Sequence, residues 1–184
     1  MFIQTEATPN PATLKFLPGR VVMPAGTADF PNSGSAARSP LAQALFAVTG
    51  VEGVFFGADF VTVTKSADQD WHMMKPVVLG AIMEHFTAGR PILAEGVAAP
   101  AAGAGGEDDD IVVQIKELLD TRVRPAVAQD GGDIVFHSFE DGVVYLHMQG
   151  SCSGCPSSTA TLKSGIENML RHYIPEVVEV RAVL

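Results

Sequence analysis

The chain has 184 residues, of which 47% are hydrophobic and 18% charged, and its formal net charge is −9. That length suits one domain or two small ones, with enough apolar content for packed cores. The acidic balance excludes nucleic acid as the expected partner, because such binding leaves a basic patch. No apolar run approaches the ~20 residues of a membrane span.

Residues 1–17 read as two strands, built on Phe2 and Ile3 and on Leu14, Phe16 and Leu17, turning at Pro9-Asn10-Pro11. Residues 18–40 are rich in Pro, Gly, Ala and Ser and read as a long loop anchored by Val21, Val22 and Phe30. Ser39 is placed to cap a short helix opened by Pro40, with Leu41, Leu45 and Val48 as its buried stripe. Residues 51–56 and 60–65 are strands joined across Gly57-Ala58-Asp59. Asp70 caps the next helix, in which Trp71, Met74, Val78, Ile82 and Phe86 share a face. Pro76 should kink that helix or mark its true start, and Gly89-Arg90-Pro91 ends it. His72 and His85 read as solvent-facing or cap-region side chains, since no carboxylate or cysteine cluster accompanies them. Trp71, Met73 and Met74 read as core packing in preference to a partner patch.

From 95 to 109 the composition shifts to Ala, Gly and Pro and then to an acidic run, Glu107-Asp108-Asp109, which Asp110 extends. Such a tract cannot build a core and reads as a flexible linker spanning roughly 20 Å. The acidic residues suit the first turn of a following helix better than a metal site. That helix carries Ile115, Leu118, Leu119 and Val123 inward, and Pro125 must kink it or begin a new turn. Asp130-Gly131-Gly132-Asp133 breaks it, and residues 134–139 and 143–148 form a hairpin around Asp141-Gly142. A two-residue loop would set Val135, His137 and Phe139 beside Val144, Leu146 and Met148, with Phe136 pointing away, and this leaves the register open. His137 and His147 read as bystanders within the strands. A helix with Leu162, Ile166, Met169, Leu170 and Tyr173 on one face and a strand over 177–183 complete the chain. The fold class expected is α+β in two small domains, 1–94 and 110–184, joined by the linker at 95–109.

Both cysteines of the chain, Cys152 and Cys155, lie at the corner between the strand ending near Met148 and the helix opened by Pro156. A helix N-terminus favours the thiolate, the form that binds metal or attacks a disulfide. Two thiols between Gly150 and Pro156 make poor core chemistry, which leaves the reading as buried small hydrophobes the least favoured of three. A thioredoxin-like redox pair fits the spacing, but the strand–helix–strand order that should lead into it is missing. Metal ligation remains, and zinc and iron–sulfur clusters both usually want four ligands where this chain has two thiolates. The spacing alone describes half a metal site.

These stretches resemble the NifU-like, Nfu-type iron–sulfur cluster scaffold and carrier proteins. The resemblance is carried by Arg124-Pro125, Asp130-Gly131-Gly132-Asp133-Ile134, Gly150-Ser151-Cys152-Ser153-Gly154-Cys155-Pro156, Thr161-Leu162-Lys163-Ser164-Gly165-Ile166 and Pro175-Glu176-Val177. In the first half it is carried by Thr8-Pro9-Asn10-Pro11, Leu14-Lys15-Phe16, Ser39-Pro40-Leu41-Ala42 and Gly57-Ala58-Asp59-Phe60. The resemblance implies a 4Fe–4S cluster held between two protomers, each giving Cys152 and Cys155, and passed to apo iron–sulfur proteins. It implies an upstream assembly scaffold as donor, a homodimer when loaded, no catalysis, and neither nucleic acid nor membrane as partner. A thiol–disulfide oxidoreductase and a zinc-bridged structural dimer using the same pair stay open as alternatives. The first residues carry neither a basic signal region nor an Arg- and Ser-rich leader, so a bacterial cytoplasmic protein is expected.

Overall fold

The computed structural model describes residues 2–94, 110–152 and 156–183, with the backbone alone described at 156–159. The chain divides into two compact units, Met1–Pro100 and Ala101–Leu184, each with helices and a sheet. The expected linker at 95–109 lies outside the described residues.

The first unit holds an antiparallel sheet in the order β1-β2-β5-β4-β3, with β1 Gln4–Ala7, β2 Thr13–Leu17, β3 Ala28–Phe30, β4 Val51–Phe56 and β5 Val61–Lys65. Asn10 ties the first turn, its carbonyl accepting from Thr13 N at 3.0 Å and its Oδ1 from Ala12 N at 3.0 Å. Helix α1 (Pro40–Phe46) begins as read, with Ser39 Oγ accepting from Ala42 N at 3.1 Å. Helix α2 (Trp71–Thr87) is capped by Asp70, whose Oδ1 accepts from His72 N at 2.8 Å. It runs unbroken past Pro76, which therefore does not mark its start. Leu41, Leu45, Val78 and Ile82 of the helices pack with Phe16, Val54, Phe56 and Val63 of the sheet to form the core.

Several expectations change here. The loop at 18–40 contains β3, whose Ala28 and Phe30 are buried against β4. Three residues are too few to show an alternation. Val22 and Phe30 are anchors, but Val21 is exposed, and Val48 lies past the end of α1 and is only partly buried. Trp71 packs edge-on to Phe16 and donates from Nε1 to Pro11 O at 3.2 Å, Met74 is buried, and Met73 stands in solvent. His85 is buried, not solvent-facing, because it follows Ile82 by one turn along the inward stripe.

The second unit opens with α3 (Asp110–Leu118), a π-helical turn over Leu119–Val123, and α4 (Arg124–Gln129). Pro125 has no N–H to offer the carbonyl of Thr121, and the chain absorbs this by widening one turn, with Arg124 N donating to Leu119 O. Strands β6 (Gly132–Glu140), β7 (Val143–Gly150) and β8 (Glu179–Val183) form a sheet in that order, β6 antiparallel and β8 parallel to β7. Helix α5 (Pro156–Tyr173) makes the crossover that a parallel β7–β8 pair requires. Ile115, Leu119, Val123, Val127, Ile166 and Leu170 pack with Ile134, Val144, Leu146, Met148 and Val180.

The hairpin register differs from the two-residue reading. Ile134 pairs with Met148 and Phe136 with Leu146, and a bulge between Phe136 and Ser138 then brings Phe139 opposite Val144. The extra residue is His137, which the bulge leaves exposed. Ile134, Phe136 and Phe139 thus all join the core, while Val135 pairs with His147. Tyr173 is the other exception: it is 48% exposed, with the Arg122 guanidinium 5.2 Å from its ring centre.

Candidate functional site

Two corners of the second unit meet at Cys152. The first joins α4 to β6: Gly131 has φ +80°, a conformation that a side chain resists, and it ends the helix. The second joins β7 to α5 through Gly150, Ser151 and Cys152. Ser151 ties them, its N–H donating to Gly131 O at 3.3 Å and its Oγ to Asp130 O. Gly132 pairs with Gly150 in the ladder.

Cys152 is 6% exposed and belongs to the apolar cluster of the unit. A Cβ on Gly132 would stand 2.5 Å from Cys152 Sγ, 2.9 Å from Gln149 O and 3.0 Å from Cys152 N. Gly132 is therefore required by close approach, and Gly131 by its dihedral. Cys155, with Ser153 and Gly154, lies outside the described residues.

Next along the chain, Asp133 is almost wholly buried, with its side chain 4% exposed. Arg124 grips it with two parallel hydrogen bonds, Nε to Oδ1 at 2.9 Å and Nη2 to Oδ2 at 2.8 Å. Its remaining nitrogen donates to Asp120 Oδ1 at 3.0 Å, one helical turn back. Ile134 N also donates to Asp133 Oδ1 at 2.8 Å. The hydrogen bonds to Asp133 raise the Arg124 guanidinium above its ordinary value, so it stays charged at any working pH.

The histidines stay apart from this corner's chemistry. His137 stands exposed in the bulge with Nδ1 3.2 Å from Ser138 Oγ, and His147 lies in β7 opposite Val135. Among the described residues, no three His, Cys, Asp or Glu side chains come together as a metal site. The sequence reading singled out Arg124 and Asp133 as motif residues without joining them. Their pairing spans α4 and the helix-to-strand corner at Asp130-Gly131, so no 3.6-residue spacing announces it.

Family models match both units. Residues 3–89 match "Scaffold protein Nfu/NifU N terminal" and residues 115–181 match the NifU-like domain. The chain belongs to the Nfu/NifU scaffold family. The human mitochondrial NFU1 iron-sulfur cluster scaffold homolog is 54% identical over 185 residues, covering 100% of this chain and 72% of its own. The mitochondrial NifU-like protein 4 of Arabidopsis thaliana is 55% identical, covering 96% of this chain and 64% of its own. The Drosophila erecta mitochondrial NFU1 homolog is 56% identical, covering 100% of this chain and 65% of its own.

This chain is thus an Nfu/NifU scaffold-family protein built of an N-terminal and a NifU-like unit. It spans about two thirds of the length of the curated relatives it matches. The expectation of a bacterial cytoplasmic location is overturned, since these relatives are mitochondrial proteins. That expectation leaned on the first residues of the chain, and these carry no information about location when the relatives are longer.

Proposed function

We propose that this protein is a non-catalytic carrier that holds a 4Fe–4S cluster between two protomers through Cys152 and Cys155 and hands it to apo iron–sulfur proteins. The observation that carries the reading is the seat of Cys152, at a strand-to-helix corner walled by Gly132, in a chain of the Nfu/NifU family. A cubane cluster offers about four iron sites to thiolates, and one chain brings two, so two chains about a two-fold axis complete it. A cluster clasped by short loops from two chains is released when the pair opens. A recipient thiolate then replaces Cys152 or Cys155 by ligand exchange. The donor is an upstream assembly scaffold, and residues 1–94, 95–109 and 110–184 serve as N-terminal domain, linker and cluster domain.

Anaerobic reconstitution with iron and sulfide, followed by metal analysis and sizing, tests this. The expected product is a coloured dimer with about two iron atoms per protomer. A colourless protein with tightly held zinc, or one with only a dithiol redox couple, replaces the proposal with one of the two alternatives. A monomer with a full complement of iron defeats the bridging arrangement.

A further inference from the structure

Arg124 does more than close a surface ion pair. Its guanidinium lies at the start of β6, where both oxygens of the buried Asp133 are taken by its fork. The residue that precedes Asp133 is Gly132, whose backbone is the wall against Cys152 Sγ. The residue before that, Gly131, accepts the hydrogen bond from Ser151 that holds the cysteine corner in place. Arg124, Asp133, the 131–133 backbone and Cys152 therefore form one contiguous mechanical chain.

We propose that Arg124 is a positioning residue for the cluster cargo: by clamping Asp133 it fixes the backbone at 131–133, and so sets how exposed the Cys152 thiol is and how firmly the cargo is held. The inference rests on the cluster reading above. A lysine in this position would meet one carboxylate oxygen as a point charge, whereas the planar fork restrains the carboxylate in both distance and orientation. The third hydrogen bond, to Asp120, anchors the fork from the helix side. A buried carboxylate stripped of this partner draws water or shifts its backbone, and either change moves Gly132 away from the thiol.

The test uses the full chain. Metal-free protein is labelled with N-ethylmaleimide and the modification of Cys152 is followed by peptide mass, for the wild type, Arg124→Gln and Arg124→Lys. Val180→Ala serves as the control for general loosening, because Val180 is buried on β8, on the far side of β7 from β6. Arg124→Gln is expected to label Cys152 about tenfold faster, as a local opening would allow. Arg124→Lys should fall between it and the wild type. Val180→Ala, at an equal loss of thermal midpoint, should label as slowly as the wild type. In the reconstituted proteins, Arg124→Gln should lose iron to a chelator faster than Val180→Ala does. Equal Cys152 labelling in Arg124→Gln and Val180→Ala overturns the proposal and leaves the pair a staple of the fold. Should Arg124→Gln fail to fold, Asp133→Asn, which keeps the side-chain shape, carries the same expectation. If the wild type takes up no iron, the cluster reading falls, and the labelling comparison still decides whether Arg124 positions the thiol.

Discussion

Gly132 and Cys152 are twenty positions apart in the chain, and the thiol sulfur of one sits where a side chain of the other would begin, at 2.5 Å from an ideal Cβ. A methyl group there has two other close neighbours, Gln149 O and Cys152 N, and both belong to the backbone. Something must move, and the cysteine is the side chain that can.

Gly132→Ala and Gly131→Ala should therefore behave differently. Overpacking at Gly132 should cost about 1–3 kcal/mol and displace Cys152, so that iron uptake falls with stability. A side chain at the φ of +80° of Gly131 should cost about 1–2 kcal/mol through backbone strain. That change adds backbone strain and no atom at the Gly132 position, and iron content per folded protomer should fall less than in Gly132→Ala. Thermal unfolding of the metal-free proteins and iron analysis of the reconstituted ones separate the two; equal iron loss in both would discredit the contact.

Cys152→Ser and Cys155→Ser should each abolish iron uptake, since the change removes two of the four thiolates in a two-protomer site. At Cys152 the hydroxyl enters an apolar cluster and should also cost about 1–3 kcal/mol of metal-free stability. His137→Ala and His147→Ala should leave iron content unchanged. A loss in either histidine variant would show that the ligand count is wrong.

His85 should make the first unit sensitive to acid. The residue is 2% exposed, and neither ring nitrogen has a hydrogen-bond partner among the described residues. Burial, and secondly the charge of Arg90, lower its pKa below the ordinary 6.5. Well above pH 6.5 the ring is neutral in both folded and unfolded chains and adds no pH dependence to stability. As pH falls below 6.5 the unfolded chain takes up a proton that the folded one refuses, so stability declines until the folded pKa is reached. Trp71 is the chain's one tryptophan and reports unfolding of this unit by fluorescence. The decline should be absent in His85→Phe; an identical pH profile in that variant would mean other groups cause it.

Modularity is the remaining expectation. A fragment spanning 109–184 should fold and take up iron alone, and one spanning 1–94 should fold without binding iron. Circular dichroism with metal analysis checks both, and an unfolded 109–184 fragment would contradict the proposed boundaries.

The parts of this protein written in short-range chemistry were legible in its sequence. Ser39 and Asp70 accept from N–H groups two or three residues away, so the starts of α1 and α2 follow from local composition. The same holds for Pro156 at the head of α5 and for the positive φ of both Asp141 and Gly142 in the β6–β7 turn. The cysteine spacing and the motifs around it were enough to indicate the family, which the comparisons then bore out. The rest depended on which distant residues meet. An extra residue in β6 costs the sequence pattern nothing, yet it decides that Phe136 and Phe139 both face the core and that His137 does not. His85 falls one turn past Ile82 on the stripe of Met74 and Val78, but its polar ring argues for solvent, and only the packing decides that it is buried. Arg124 meets Asp133 because the corner at Asp130-Gly131 folds the start of β6 back beside α4, and Cys152 meets Gly132 because two corners close on each other. Propensities and caps act over about four residues of chain, while these contacts are set by the packing of whole elements, which is why only the tertiary structure could place them.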